Sequence, residues 1–161
     1  MNVDAILQAL NEEQVDYMLI GGMNFLLRHL PELTFDVDIW VRDSSENLEK
    51  TNRALQRMGA QWGTTEKEWR LVPSDPKWLL RQGCFCLTTK HGAVDIFRDV
   101  RGLEGRYEEC KAAAVASKTG TGVNFAALSD THMLVCQEAL LPHEQKPKRM
   151  EVLRQALKQK K

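Results

Sequence analysis

The sequence predicts an α/β (α+β) fold in which a mixed β-sheet is flanked by helices, and three features predict it. The stretch "VDAILQALNEEQV" sets Val3, Ile6, Leu7 and Leu10 at helical spacing directly ahead of a short apolar run, "DYMLIGG". The stretches "LTFDVDIWV" and "CFCLTTKHGAVDIFRDV" alternate with the period of two that belongs to strands. Between them, "SSENLEKTNRALQRMGA" carries serine caps, an acidic first turn and a closing Gly59, the punctuation of a helix.

In chain order, the first helix gives way to a strand that ends at Gly21 and Gly22. "MNFLLRHL" then reads as a helix that stops before Pro31. The strand from Leu33 to Val41 is expected to put Leu33, Phe35, Val37, Ile39 and Val41 on one side and Thr34, Asp36, Asp38 and Trp40 on the other. Leu48, Leu55 and Met58 make the following helix a cover for the sheet. From 60 to 82 a short strand or irregular segment is expected, and then a helix at "SDPKWLLRQ", where Ser74 or Asp75 caps and Pro76 sits in the first turn. "CFCLTT" and "AVDIF" form two strands around a turn at His91 and Gly92. "RYEECKAAAVASKT" reads as a helix, "GTGVNFAALS" as a turn and short strand, and "DTHMLVCQEALL" as a helix capped by Ser129 or Asp130. Pro142 and Pro147 set off a last basic helix, "KRMEVLRQALKQKK". One domain is expected overall, with a core over 1–110 and a carboxyl-terminal helical extension, 111–161, packed on it.

The 161 residues carry 22 basic and 22 acidic side chains, a balance that argues against gripping nucleic acid or anionic membrane mainly by net charge. No apolar run approaches membrane-spanning length and the amino end is acidic rather than signal-like, so a cytoplasmic protein is expected. Cys84, Cys86, Cys110 and Cys136 form no CxxC knuckles and the histidines no HExxH spacing, which excludes the usual zinc patterns. Reduced cysteines in packing roles are the expectation.

The chemistry concentrates on aspartates. Asp36 and Asp38 lie two apart in an apolar strand and therefore project side by side, where two carboxylates repel and raise a pKa unless a cation neutralises them. Asp95, between Val94 and Ile96, repeats the context of Asp38 in a second strand. If the two strands are neighbours, three carboxylates converge, enough for Mg²⁺ and for a two-metal site that displaces in line at phosphorus. Gly21 and Gly22, where strand passes to helix, offer backbone N–H groups to a phosphate. Arg28, Arg42 and Lys90 are the nearest cations in sequence, and Arg28, on the helix after the glycines, ranks first as the compensating charge. Trp62, Trp69 and Trp78 are read as core or lid packing, with base stacking as the functional counterpart. The tail "KQKK" is read as a frayed terminus, with contact to RNA as the alternative.

Glycine pair, helix, "DVD" strand and later "VDIF" strand together resemble the nucleotidyltransferase superfamily of DNA polymerase β-like proteins, and in particular its small prokaryotic members related to AbiEii-type toxins. The likeness covers Tyr17 to Val41 and Gly92 to Phe97, and extends weakly through "NFAALSDTHMLVCQEAL". It implies Mg²⁺-dependent transfer of a nucleoside monophosphate from an NTP, ATP among the candidates, to a hydroxyl of a small molecule, an RNA or a protein. It further implies triphosphate contact at Gly21 and Gly22, metal at Asp36 and Asp38, and metal assistance with hydroxyl deprotonation at Asp95. The chain departs from the pattern at Glu32 and Leu33, where many small relatives have an arginine, and at "VCQEAL" and "KPKRMEV", where they carry lysines. Two alternatives follow: a catalytically degenerate interaction protein of a toxin-antitoxin or resistance system, and a metal-dependent phosphohydrolase.

Overall fold

The helix expected at the amino end forms as α1 (Val3–Glu12), its first turn closed by the Asn2 side chain accepting from the Ala5 amide. Its buried face, Ile6, Leu7 and Leu10, meets a sheet that begins with β1 (Tyr17–Leu19). The computed structural model describes residues 1–159. Lys160 and Lys161, half of the tail weighed for RNA contact, lie outside them.

After β1 come α2 (Gly21–Arg28), β2 (Asp36–Val41) and α3 (Ser45–Arg57), the last capped by the Ser44 hydroxyl accepting from the Asn47 amide. Gly59 then turns the chain with φ +62°. Residues 60 to 82 hold two-residue strands, β3 (Gln61–Trp62) and β4 (Arg70–Leu71), and a 3₁₀ turn over Pro76–Arg81 in place of the expected α-helix. Asp75 caps that turn by accepting from the Lys77 amide. β5 (Cys84–Thr89) and β6 (Gly92–Phe97) make the expected hairpin. There follow α4 (Tyr107–Ala112), β7 (Val115–Lys118), β8 (Asn124–Ala127), α5 (Asp130–Ala139) and α6 (Pro147–Gln159). Ser129 caps α5 by accepting from the His132 amide.

Three local expectations are corrected. The helix read over "RYEECKAAAVASKT" ends at Ala112, and Val115 to Lys118 pair antiparallel with β8, so partner availability overrides the helix propensity of the alanines. The region from 111 onward is consequently not purely helical, since it supplies two strands of the sheet. The strand read from Leu33 begins only at Asp36, because the ladder with β6 starts at the Asp36–Ala93 pair. Leu33 and Phe35 are left 79% and 75% exposed instead of facing the core.

The eight strands lie in the order β4-β3-β5-β6-β2-β1-β8-β7. β2 is parallel to β6 and antiparallel to β1, while β1 is parallel to β8. One face of the sheet, with Val37, Ile39, Phe85, Val94 and Ile96, packs on α1 and α3 as the larger core, which also takes in Trp78. Trp62 and Trp78 pack edge-on against Phe85 there, whereas Trp69 is exposed and donates to the Gly63 carbonyl. On the opposite face Met18, Ile20 and Trp40 form a smaller core with Tyr107, Leu128, Met133 and Leu153. Trp40 is therefore buried although it shares the side of the aspartates. That second core stops short of Asp36, Asp38 and Asp95, leaving them at the edge of the packed layer.

Candidate active site

Cross-strand register decides where the aspartates go. In the parallel β2/β6 pair Asp38 stands directly opposite Asp95, and Asp36 follows on the same face of β2. One oxygen from each of Asp36, Asp38 and Asp95 lies within 4.8 Å of the other two, the one such acidic, thiol or imidazole cluster among the described residues. The structure thus brings together three side chains that the sequence separates.

Burial and two like-charged neighbours push the Asp38 carboxyl up to about 7, the charge of Arg149 and the Gly22 backbone N–H acting the other way. Asp95 is raised too, by burial first; the Cys86 thiol, donating to Asp95 Oδ2 at 3.4 Å, opposes this and Asp36 adds to it. Asp36 Oδ1 accepts from the Thr34 hydroxyl at 3.3 Å. The adjoining thiols stay neutral, Cys84 pushed up to about 12 by burial and nearby charge, Cys86 raised by burial and Asp95. A hard oxygen donor set crowded enough to hold a proton at neutral pH fits a divalent cation such as Mg²⁺.

A pH signature follows. The folded pKa of Asp38 lies above its ordinary value of 3.8, so between these pH values the folded state holds more protons than the unfolded one and stability falls as pH rises. The loss is complete above about 7 and has an upper bound on the order of 4 kcal/mol. Without metal, the melting temperature is expected to drop from pH 5 to pH 8. Asp38→Asn should flatten that slope, and Mg²⁺ should restore the wild-type protein at pH 8. A wild-type slope left unchanged by Asp38→Asn would remove the carboxylate crowding from the account.

The glycines hold the other side of Asp38. Gly21 adopts φ +63°, and a Cβ there would fall 1.9 Å from Asp38 Oδ2, so only glycine lets the turn approach the carboxylate. At Gly22 a Cβ would meet Thr34 Oγ1 at 3.0 Å and Arg149 Nη2 at 3.3 Å. A cleft of about 460 Å³ opens beside this turn. Its lining includes Asp36 and Asp38, apolar Phe97, Val100, Met133 and Leu140, and the positive charges of Arg101, Lys146 and Arg149.

Arg28 does not reach this cleft. At the end of α2 it turns toward α5, bonding Asp130 Oδ1 at 2.8 Å and the Leu128 carbonyl at 3.0 Å, with His29 on the same carboxylate oxygen. Arg42 pairs with Glu108, and Lys90 sits at the hairpin tip near His91. Arg149 takes the place expected of Arg28, and sequence reasoning missed it. The basic run "KPKR" at the start of the last helix is the available signal, but nothing in it says which loop that helix meets.

No protein-family model matches the chain, and no curated protein matches it. Among solved structures it is similar to a presumed nucleotidyltransferase of Thermotoga maritima, at 19% identity and TM-score 0.53 over 96% of this chain and 89% of that one. It is also similar to the antibiotic-resistance factor ANT(2'')-Ia, at 11% identity and TM-score 0.57 over 99% of this chain and 82% of that one. At such identities the likeness is one of fold: the chain has the nucleotidyltransferase fold.

Proposed function

We propose that the protein transfers a nucleoside monophosphate from an NTP to a hydroxyl acceptor. The observation that carries this reading is the convergence of Asp36, Asp38 and Asp95 on one face, beside a glycine turn and a cleft with basic residues. Asp36 and Asp38 would hold Mg²⁺, which when bound supplies charge stabilisation for displacement at phosphorus. The backbone of Gly21 and Gly22 and the guanidinium of Arg149 would receive the triphosphate. Asp95 takes the acceptor's proton as its oxygen bonds to the α-phosphorus and the bond to pyrophosphate breaks. Asp95 does not line the cleft but faces β5, where Cys86 is exposed. Nucleotide and acceptor therefore have opposite sides of the carboxylates to approach from.

Kinship with AbiEii-related proteins and a cytoplasmic setting belong to the same proposal; among the described residues no helix is long and apolar enough to cross a membrane. Titration of each NTP with Mg²⁺ into the wild type and into Asp36→Ala/Asp38→Ala is expected to show binding only by the former, and equal binding by both sinks the reading. Labelled NTP incubated with cell extract then identifies the acceptor as a small molecule, an RNA or a protein.

One observation favours the alternative of a catalytically degenerate interaction protein in a toxin-antitoxin or resistance system. The two arginines that line the cleft are both paired with carboxylates, Arg149 with Glu32 and Arg101 with Glu144. Binding of metal without NTP would decide for it.

A further inference from the structure

Arg149 and Glu32 come from distant parts of the chain and meet in the lining of the cleft. One edge of the guanidinium is taken up side-on: Arg149 Nε donates to Glu32 Oε2 at 3.1 Å, and Nη2 donates to Glu32 Oε1. Their side chains are only 10% and 21% exposed. The guanidinium also lies 5.6 Å over the Phe25 ring, a contact that keeps it in position whether or not the carboxylate stays. On its other side it stands against Gly22 and close enough to Asp38 to lower that carboxyl's pKa.

Glu32 belongs to the segment between α2 and β2, residues 29–35, which has no strand partner. The same segment presses Thr34 onto Gly22 and leaves Leu33 and Phe35 largely uncovered. The loop is thus drawn over the glycine turn by a two-point ion pair while its apolar side chains gain nothing from staying there. A guanidinium fork fits phosphate oxygens as well as it fits a carboxylate, and a polyphosphate carries more charge than one glutamate.

We infer that Arg149 forms a polyphosphate subsite whose internal occupant is Glu32, so that the triphosphate tail of a substrate binds by displacing Glu32 and releasing the 29–35 loop. The inference rests on the nucleotidyl-transfer reading for the identity of the substrate, but the anion site itself requires only the Arg149 geometry. Glu32 is here a competing group, not a catalytic residue.

Calorimetric titration of inorganic tripolyphosphate, and separately of NTP with Mg²⁺, into wild type, Glu32→Gln, Arg149→Lys and the double variant tests it. Glu32→Gln should bind both ligands roughly tenfold more tightly, the lost competition of one charge-assisted pair. Arg149→Lys should weaken binding and cancel that gain in the double variant. In the wild type, amide exchange over residues 29–35 should speed up when tripolyphosphate is added, a readout that needs no variant to fold. NTP bound without any gain from Glu32→Gln overturns the subsite and leaves nucleotidyl transfer standing. Tripolyphosphate bound with the gain while NTP fails to bind supports the subsite and removes nucleotidyl transfer. Tripolyphosphate bound by no variant, or a gain that survives Arg149→Lys, overturns the subsite.

Discussion

Asp95→Asn is expected to cut single-turnover nucleotidyl transfer by about 10³-fold while changing NTP affinity by less than about threefold. The substitution keeps the shape of the side chain and its place opposite Asp38 in the β2/β6 ladder. What it removes is the charge proposed to accept the hydroxyl proton and to complete an oxygen donor set with Asp36 and Asp38. The glycine turn, Arg149 and the Asp36/Asp38 pair remain to hold nucleotide. Loss of a repelling neighbour also means that the metal-free protein should melt no lower than wild type at pH 8, because the raised pKa of Asp95 reflects burial and the charge of Asp36. A lower melting temperature with full turnover would instead make Asp95 a structural residue of the sheet.

Gly21→Ala should be the most damaging single methyl in the amino half. The backbone cost of a left-handed φ is ~1–2 kcal/mol, or roughly 3–8 °C for a chain of this size. The methyl must also push Asp38 Oδ2 out of a position 1.9 Å away. Asp38 then leaves both Asp36 and Asp95, so the stabilisation given by Mg²⁺ should vanish along with turnover. Melting curves with and without Mg²⁺ measure both parts. Gly59→Ala is the control: its φ is +62° but no atom lies within 4 Å of the added Cβ, so it should share the backbone cost and keep the response to Mg²⁺.

The aspartates were legible in the sequence because their cost is local: an aspartate inside an apolar strand calls for a cation or a solvent edge, whatever the rest of the chain does. Register between β2 and β6 was not legible, since two strands of alternating pattern can pair in several ways. Arg28 misleads because nearness in sequence is not nearness in space. At the end of α2 its side chain meets Asp130, at the start of α5, and so ties two helices together. Arg149 was invisible for the converse reason, its partner Glu32 lying far away in sequence. The alanines of 112–114 favour helix, and only the presence of β8 turns the next four residues into strand. Leu33 and Phe35 satisfied the period of two but had no neighbour to pair with.

The sheet order also fixes a sequence of events in time. The strands that carry the three carboxylates are complete once Phe97 has been synthesised, whereas β8, which joins β1 through the Leu19–Ala127 pair, and the helix that bears Arg149 come later. A chain leaving the ribosome from its amino end therefore has its three aspartates before Arg149, the cation inferred for polyphosphate. Until α5 and α6 dock, Met18 and Trp40 lack the cover of Met133 and Leu153. On the proposed reading, a chain that has made Phe97 but not yet Arg149 carries the carboxylates proposed for the cation without the guanidinium proposed for the triphosphate.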